Sequence, residues 1–310
     1  RSPSLVTPQS NQISGGNIYN QHVFGDWQRL TLQQAQLQSS ASLLVDSLYI
    51  EDAPLNLRVP YVALCHYLPS ENPLLSMKSQ TTTAKKEKSF FENATGIVCT
   101  GQGLSNRLRE QFQAVPVRTC TPGTNMRAET RVQRKDSTSP VSLLSVGPIC
   151  EAKGLLEAIH WIVRSDLENW TWTHIGLIHS PQYLDHIHTY IQSSRKSHAF
   201  EFIDHVPPEN MGGYYQQADA FIQFSLFESY GMACYEAAIH AAFLISRSVG
   251  DVELFSDPQQ WLDPDKTAPT KLSEAISSWR NRPEQAQIVP KPWERVKRQV
   301  FAAMKDFGVW

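Results

Sequence analysis

The chain lacks the features of several specialised protein classes. None of its five cysteines stands in a C-x-x-C spacing, which indicates reduced, mostly buried thiols. A formal net charge of −2 gives no reason to expect binding to nucleic acid or to an anionic membrane. No apolar run approaches the ~20 residues that cross a bilayer, and the first residues contain no signal-peptide core. We therefore expect a cytoplasmic protein that does not associate with membranes.

The remaining composition is that of a globular protein with room for two domains. Hydrophobic residues make up 41% of the 310 residues and charged residues 19%. Strand-like and helix-like runs alternate along the chain, which favours an α/β fold whose parallel sheets carry helices on both faces. The polar segment at residues 127–140 has almost no apolar side chains, and it predicts a linker between the domains.

Hydrophobic periodicity predicts the elements of both halves. Strands are predicted at residues 5–8, 43–46, 61–65, 96–100, 115–119, 141–146, 172–178, 200–203, 220–224 and 243–246. Helices are predicted at residues 84–93, 103–112, 153–164, 182–194, 208–217, 230–242 and 292–307.

The most informative stretch is FESYGMACYEA at residues 227–237, in which Glu228 and Glu236 stand eight residues apart. Such pairs are usually solvated helix positions, but here a predicted buried strand precedes the motif and a helix and strand follow it. This unit places both carboxylates at the carboxyl end of a parallel sheet, where open α/β folds bind ligands. A helix N-terminus beside them attracts anions, so the motif suits a sugar attached to a diphosphate.

In this context the motif resembles the E-x7-E signature of the family-4 retaining glycosyltransferases, and the resemblance covers nearly the whole chain. It implies the GT-B architecture, with two Rossmann-like domains and a cleft between them. The acceptor-binding domain would span residues 1–137 and the nucleotide-sugar domain residues 138–290. A C-terminal helix at residues 291–310 would cross back to the first domain.

The resemblance also implies roles for the residues of the motif. Glu236 would accept hydrogen bonds from the nucleotide ribose, and Glu228 from the transferred sugar near its anomeric centre. The backbone N–H groups of Gly231 and Met232 would bind sugar hydroxyls or phosphate, and Tyr230 belongs to the same donor site. Retention would follow from front-face attack, in which a phosphate oxygen takes the acceptor proton.

A second element, SVGPICEAKG at residues 145–154, resembles the family's V-G-R-x-x-x-x-K-G pattern. In that pattern an arginine and a lysine neutralise the departing diphosphate, which is electrostatic catalysis. Lys153 matches the lysine and is a candidate catalytic residue. Pro148 occupies the place of the arginine, so half of the cation pair is either supplied elsewhere or missing.

Two features of the first half complete the predicted site. Gly15 and Gly16 follow the first predicted strand, where glycines allow close approach of a ligand and a positive φ. A tight turn is the simpler interpretation, but the matching loop of the family faces the donor diphosphate. His66 ends a predicted strand, and a histidine there is ordinarily structural. In the family the corresponding histidine hydrogen-bonds hydroxyls of the donor sugar.

One region does not match the family pattern. Between Asn17 and Leu43 the family has a full helix and a further strand, but here only residues 18–29 and the glutamine-rich run at residues 33–38 are available. Either the domain is trimmed or residues are absent from the sequence after about Gln21. We expect the second, because the Gly-Asp-Trp run at residues 25–27 resembles what normally follows the missing strand.

No cofactor and no metal are required by this interpretation. Asp263 and Asp265 mimic the D-x-D that binds manganese in other glycosyltransferases, but their position after an apolar pair predicts a turn. His186 and His188 are two residues apart, so on a helix they would point to different sides, which argues against a zinc site.

The resulting hypothesis is a retaining transferase that moves a hexose, glucose from UDP-glucose, to a small-molecule acceptor. The forms of residues 14–20 and of the Glu-Ser-Tyr-Gly-Met step resemble bacterial members of the family that glycosylate small molecules, which implies a pteridine such as tetrahydrobiopterin. A lipid or polysaccharide acceptor is one alternative. The other is a catalytically silent protein that binds UDP-sugar, motivated by Pro148.

Overall fold

The computed structural model describes residues 3–8, 14–40, 42–127, 139–194, 199–282 and 288–309. The chain forms two compact units, one of residues 1–125 with 291–310 and one of residues 126–290. Most of the predicted linker at residues 127–140 lies outside the described residues. In the described part of the chain, no helix is long and apolar enough to span a membrane.

The first unit contains a parallel sheet in the order β2-β1-β3-β4-β5-β6. Its central strands are buried along their whole length, which is typical of parallel sheets covered on both faces. The strands are β1 (Ser4–Val6), β2 (Gln28–Leu30), β3 (Leu43–Asp46), β4 (Tyr61–Cys65), β5 (Gly96–Cys99) and β6 (Val117–Thr119). The helices between them are α1 (Gly15–Phe24), α2 (Leu32–Gln36), α3 (Met77–Glu92) and α4 (Gln102–Gln111).

The second unit contains a parallel sheet in the order β12-β11-β10-β7-β8-β9. Its strands are β7 (Val141–Val146), β8 (Trp170–Ile175), β9 (Phe200–Ile203), β10 (Ala220–Gln223), β11 (Phe243–Ser246) and β12 (Trp261–Leu262). Its helices are α5 (Leu155–Val163), α6 (Pro181–Ser193), α7 (Met211–Gln217), α8 (Met232–Ile239), α9 (Val252–Phe255) and α10 (Leu272–Arg280). The predicted α/β class with parallel sheets is confirmed.

The last helix, α11 (Trp293–Asp306), belongs to the first unit. The indole of Trp293 stacks on His22 of α1, with ring centroids 4.6 Å apart. Gly123 allows the chain to pass close by, since a Cβ there would lie 2.9 Å from the backbone nitrogen of Trp293. The Pro-Gly step at residues 122–123 therefore serves backbone packing.

The expectation of a missing strand between Asn17 and Leu43 is wrong. Residues 14–40 form α1, β2 and α2 without a break, and β2 pairs in parallel with β1. The strand escaped prediction because it is short and lies at the sheet edge, where Gln28 and Arg29 are exposed and Leu30 alone is buried. The Gly-Asp-Trp run at residues 25–27 leads into this strand.

Helix α8 is shorter than predicted at its C-terminal end. It stops at Ile239, and Ala241 has the positive φ of 55°. The N–H of Ala242 donates to the carbonyl of Ala237 at 3.1 Å, a bond that closes a helix end. Alanine has high helix propensity, so composition alone extended the helix too far.

Candidate functional site

Close backbone packing fixes the loop after β10. Gly154, which precedes α5, has the left-handed φ of 59°, and a Cβ there would lie 2.2 Å from the carbonyl oxygen of Phe224. Any side chain at this position would clash with Phe224, the residue that follows β10. The N–H of Leu226 also donates to the carbonyl of Ala152 at 2.9 Å. These contacts bring the residues before α5 against the loop that carries Glu228.

Lys153 and Glu228 form an ion pair in this place. Nζ of Lys153 lies 2.5 Å from Oε1 of Glu228, and the two side chains are 31% and 18% exposed. Burial alone would lower the pKa of Lys153, but the charge of Glu228 and the hydrogen bond outweigh burial and raise the pKa. Lys153 is therefore protonated at neutral pH. Its partly open ammonium group can bind an anion brought beside it.

The same loop leads into α8. Gly231, immediately before Met232, has a φ of 92°, a conformation that favours glycine, and no side chain caps the helix. The loop is supported from the residues after β11. A Cβ on Gly250 would lie 2.8 Å from the carbonyl oxygen of Tyr230, and the N–H of Asp251 donates to that carbonyl at 3.0 Å. Backbone packing thus holds the start of α8 in place.

Glu236 lies one turn further along α8 and is oriented by a buried tyrosine. The hydroxyl of Tyr215 in α7 donates to Oε2 of Glu236 at 3.0 Å. Burial and the charge of Glu236 raise the pKa of Tyr215 well above its ordinary value, so the phenol remains a donor. The carboxylate is half-buried and held in one direction, which suits recognition of hydroxyl groups.

A small cavity lies beside Lys153, at the carboxyl ends of β7, β8 and β10. Its volume is about 20 Å³, and its lining includes Gly147, Gln223 and Ser225. Nε2 of Gln223 and Oγ of Ser225 are buried without a hydrogen-bond partner among the described residues. Because buried polar atoms are nearly always paired, these two groups indicate a place for a ligand atom or a water.

His174 also lines this cavity and is neutral. Nε1 of Trp172 donates to Oγ of Ser145 at 2.8 Å, and the same Oγ lies 2.7 Å from Nδ1 of His174. Burial lowers the pKa of His174 to about 4, and the backbone of Gly147 opposes this only in part.

Arg247, immediately after β11, brings a guanidinium group to the carbonyl that faces Gly154. Its Nη1 donates to the carbonyl oxygen of Phe224 at 2.8 Å, and its Nε donates to Asp265 at 3.2 Å. Pro148 stands where the resembled pattern has its arginine. Arg247 is a cation that the sequence did not reveal, because no motif surrounds it.

In the first unit, the prediction of a glycine loop with positive φ is wrong. Gly15 and Gly16 are the first residues of α1, and neither is among the residues with positive φ. The reason is Ser14, which caps the helix by accepting from the N–H of Asn17 at 3.2 Å. Close approach does occur, however, since a Cβ on Gly16 would lie 3.2 Å from Cδ2 of His66.

His66 follows β4 and is buried in a polar cluster of the first unit. Its Nε2 lies 3.0 Å from Oδ1 of Asn20, and Nδ2 of Asn20 lies 2.7 Å from Oδ2 of Asp46. The backbone N–H of His66 donates to the hydroxyl of Ser47 at 3.1 Å. Sequence reasoning missed Asn20 and Asp46, because a polar residue on a helix and an aspartate ending a strand are common.

Among the described residues, no group of three or more His, Cys, Asp or Glu side chains is arranged to hold a metal. Asp263 and Asp265 form a turn after β12. Oδ1 of Asp263 accepts from the N–H of Asp265 at 3.1 Å, and its Oδ2 pairs with Lys266 at 3.0 Å. The carboxylate of Asp263 is thus engaged within the turn, and that of Asp265 accepts from Arg247.

Comparison with known families gives one match. The model of the glycosyl transferases of group 1 matches residues 126–291, which is more than half of the chain. A search of curated proteins finds no match.

Solved structures match almost the entire chain. HepE from Anabaena, in complex with UDP and glucose, is 10% identical with a TM-score of 0.76, and the match covers 98% of this chain and all of HepE. HepE in complex with UDP-glucose gives 12% identity and a TM-score of 0.67, covering 99% and 96% of the chains. Sucrose-phosphate synthase from Thermosynechococcus elongatus is 17% identical with a TM-score of 0.62, and the match covers 86% of this chain and 71% of the synthase. These similarities establish the GT-B fold.

Proposed function

The chain belongs to the group 1 glycosyl transferases, and from that premise we propose that it transfers glucose from UDP-glucose to a small-molecule acceptor with retention at the anomeric carbon. The structures of similar fold support this choice of donor, since HepE was solved with UDP and glucose and with UDP-glucose. The acceptor we propose is a pteridine such as tetrahydrobiopterin.

The observation that carries the proposal is the ion pair of Lys153 and Glu228 beside the start of α8. A diphosphate at that helix N-terminus would meet both the helix dipole and the ammonium group. Binding of the diphosphate would draw Lys153 away from its carboxylate partner. Glu228 would then be available to accept from sugar hydroxyls. No metal is invoked, because the ammonium group neutralises charge on the departing UDP.

Glu236 and Tyr215 complete the donor site in this proposal. The carboxylate would accept from both ribose hydroxyls, and the hydrogen bond from Tyr215 sets its direction. The N–H groups of Gly231 and Met232 would bind the phosphate or sugar oxygens. Gly16 lets the first turn of α1 pack against His66, which would contact hydroxyls of the transferred sugar.

Retention agrees with the way the two carboxylates are engaged. Glu228 is bound to Lys153 and Glu236 to Tyr215, so both carboxylates are engaged in the free protein. In front-face attack a phosphate oxygen takes the acceptor proton, and a protein base is unnecessary. Proton NMR of the product would check this, because retention gives the α-anomer from UDP-α-glucose.

The experiment that tests the proposal measures UDP release from UDP-glucose with three acceptor sets: a reduced pterin, a lipid extract and a polysaccharide. We expect release that depends on the pterin. Release of UDP that depends only on lipid or polysaccharide would support the proposed transfer of glucose and contradict the proposed pteridine acceptor.

A second candidate function is binding of UDP-sugar without turnover. It is favoured by Pro148, since half of the usual cation pair is absent from its place. Arg247 is the cation that would replace the missing arginine if the protein is an enzyme. Its guanidinium donates to the carbonyl of Phe224 from the end of β11. If the protein is a silent binder, calorimetry will detect UDP-glucose binding while UDP release stays at background with every acceptor.

A further inference from the structure

Asn20 connects a buried carboxylate to the histidine of the first unit. Its amide nitrogen lies 2.7 Å from Oδ2 of Asp46, and its amide oxygen lies 3.0 Å from Nε2 of His66. The three side chains are 3%, 0% and 9% exposed, respectively. A hydrogen-bonded chain so fully buried is held firmly, because each lost bond would leave a buried polar atom unpaired.

Asp46 fixes the donor and the acceptor of each hydrogen bond that joins it, through Asn20, to His66. Its Oδ1 accepts from the backbone N–H of Leu48 at 3.0 Å, and its Oδ2 accepts from the hydroxyl of Thr7 at 3.4 Å. Turning the Asn20 amide over would place two acceptor oxygens 2.7 Å apart, so the amide NH₂ faces Asp46. The amide oxygen therefore faces His66, and Nε2 of His66 must be the donor.

The surroundings of His66 determine its charge as well. Burial lowers the pKa of the ring, and the carboxylate of Asp46, 3.6 Å from Nε2, opposes this only in part. The ring also meets the edge of Tyr19 at a centroid distance of 5.4 Å. At neutral pH the ring is therefore neutral. With its hydrogen on Nε2, its lone pair lies on Nδ1.

We propose that Asn20 and Asp46 are positioning residues that fix the orientation of the His66 ring and keep its ring hydrogen on Nε2. The consequence for the transfer reaction rests on the proposed function. The tautomer itself is a property of the free protein.

The direct test is nitrogen-15 NMR of the histidine side chains in the full chain. His66 is assigned by the loss of its signals in His66→Gln. At pH 7 we expect a pyrrole-type shift at Nε2 and a pyridine-type shift at Nδ1. The opposite pattern, or a charged ring at pH 7, would overturn the inference without any variant.

The variant Asn20→Leu removes both hydrogen bonds of the Asn20 amide, to Asp46 and to His66, while roughly keeping the side-chain volume. We expect His66 to populate the Nδ1–H tautomer, and kcat for UDP release to fall about tenfold, with KM for UDP-glucose changed about twofold or less. Asp46→Asn removes the charge that opposes burial, so the pKa of His66 should fall further. An unchanged tautomer in folded Asn20→Leu would overturn the role of Asn20.

Thr83→Val is the matched control in the same unit. Thr83 is 5% exposed, and its hydroxyl donates to Glu51 at 3.0 Å, so this variant also loses one bond of a buried side chain. We expect wild-type histidine spectra and kinetics from it. If the protein shows no transferase activity while His66 has the expected tautomer, the proposed function is wrong and the inference on His66 stands. If UDP is released but the tautomer is reversed, the inference is wrong and the proposed function stands.

Discussion

The ammonium group of Lys153 lies 2.5 Å from a carboxylate oxygen of Glu228, and the pair joins the turn before α5 to the loop before α8. The two residues are 75 positions apart in sequence. They meet because Gly154 has no side chain and can pack on the carbonyl of Phe224. The glycine is thus required for the position of the charge as well as for the shape of the turn.

Removal of the charge in Lys153→Met should affect the reaction more than donor binding. Because the ammonium group acts on charge that develops on departing UDP, we expect kcat to fall roughly 100-fold or more. The affinity for UDP-glucose, measured by calorimetry, should weaken about tenfold or less. Lys266→Met, which alters a lysine that is 70% exposed, is the control and should leave both quantities unchanged. Equal losses in the two variants would contradict the role of Lys153.

Tyr215→Phe should weaken binding of the nucleotide. Loss of the hydroxyl removes the hydrogen bond that directs the carboxylate of Glu236, and we expect the affinity for UDP to fall about tenfold, equivalent to one hydrogen bond to a charged group. Tyr183→Phe is the matched change, since the Tyr183 hydroxyl lies 3.2 Å from Glu157. Calorimetry with UDP should find wild-type affinity for that control. Wild-type affinity in Tyr215→Phe would show that Glu236 needs no orientation by this tyrosine.

Gly154→Ala should destabilise the protein. Its positive φ and the clash with the Phe224 carbonyl together predict a loss of about 2 kcal/mol or more in the free energy of unfolding. Gly213→Ala in α7 has open space around its added Cβ and should be neutral or slightly stabilising. Urea denaturation of both variants measures the difference. Equal midpoints would mean that the turn before α5 relaxes without cost.

His174 should make stability depend on pH. Its pKa is about 4 in the folded chain and near 6.5 when unfolded, so the unfolded state binds more protons in this window and stability falls as the pH falls. The contribution lost between pH 7 and pH 4 is about 3 kcal/mol. In urea denaturation, His174→Leu should therefore show a shallower loss of stability over this range than the wild type. His186→Gln, at an exposed position of α6, should keep the wild-type slope.

Most of the fold could be predicted from sequence because central parallel strands are continuous apolar runs. The strands β3, β4, β7 and β11 have the predicted bounds, and so does the edge strand β9. The edge strands β2 and β12 were not predicted, because β2 is mostly exposed and β12 has only two residues. Strands so short and so little buried leave no periodic pattern in a sequence.

The candidate site was only partly predictable. Motifs identify Glu228, Glu236 and Lys153, but they do not show that Lys153 pairs with Glu228 or that a tyrosine 21 residues away holds Glu236. Those relationships depend on which strands are neighbours. Neither Asn20 nor Arg247 lies in a recognisable motif. The contribution of Asn20 to the site is evident only from its burial against charged and polar partners.

The most direct test of the central claim compares UDP release by the wild type and by Glu228→Gln. With UDP-glucose and a reduced pterin, we expect pterin-dependent release by the wild type and a loss of roughly 100-fold or more in the variant. Glu253→Gln, which changes an exposed carboxylate of α9, should release UDP like the wild type. Release by Glu228→Gln at the wild-type rate would contradict the site assigned here, and no release by the wild type with any acceptor would contradict the assigned reaction.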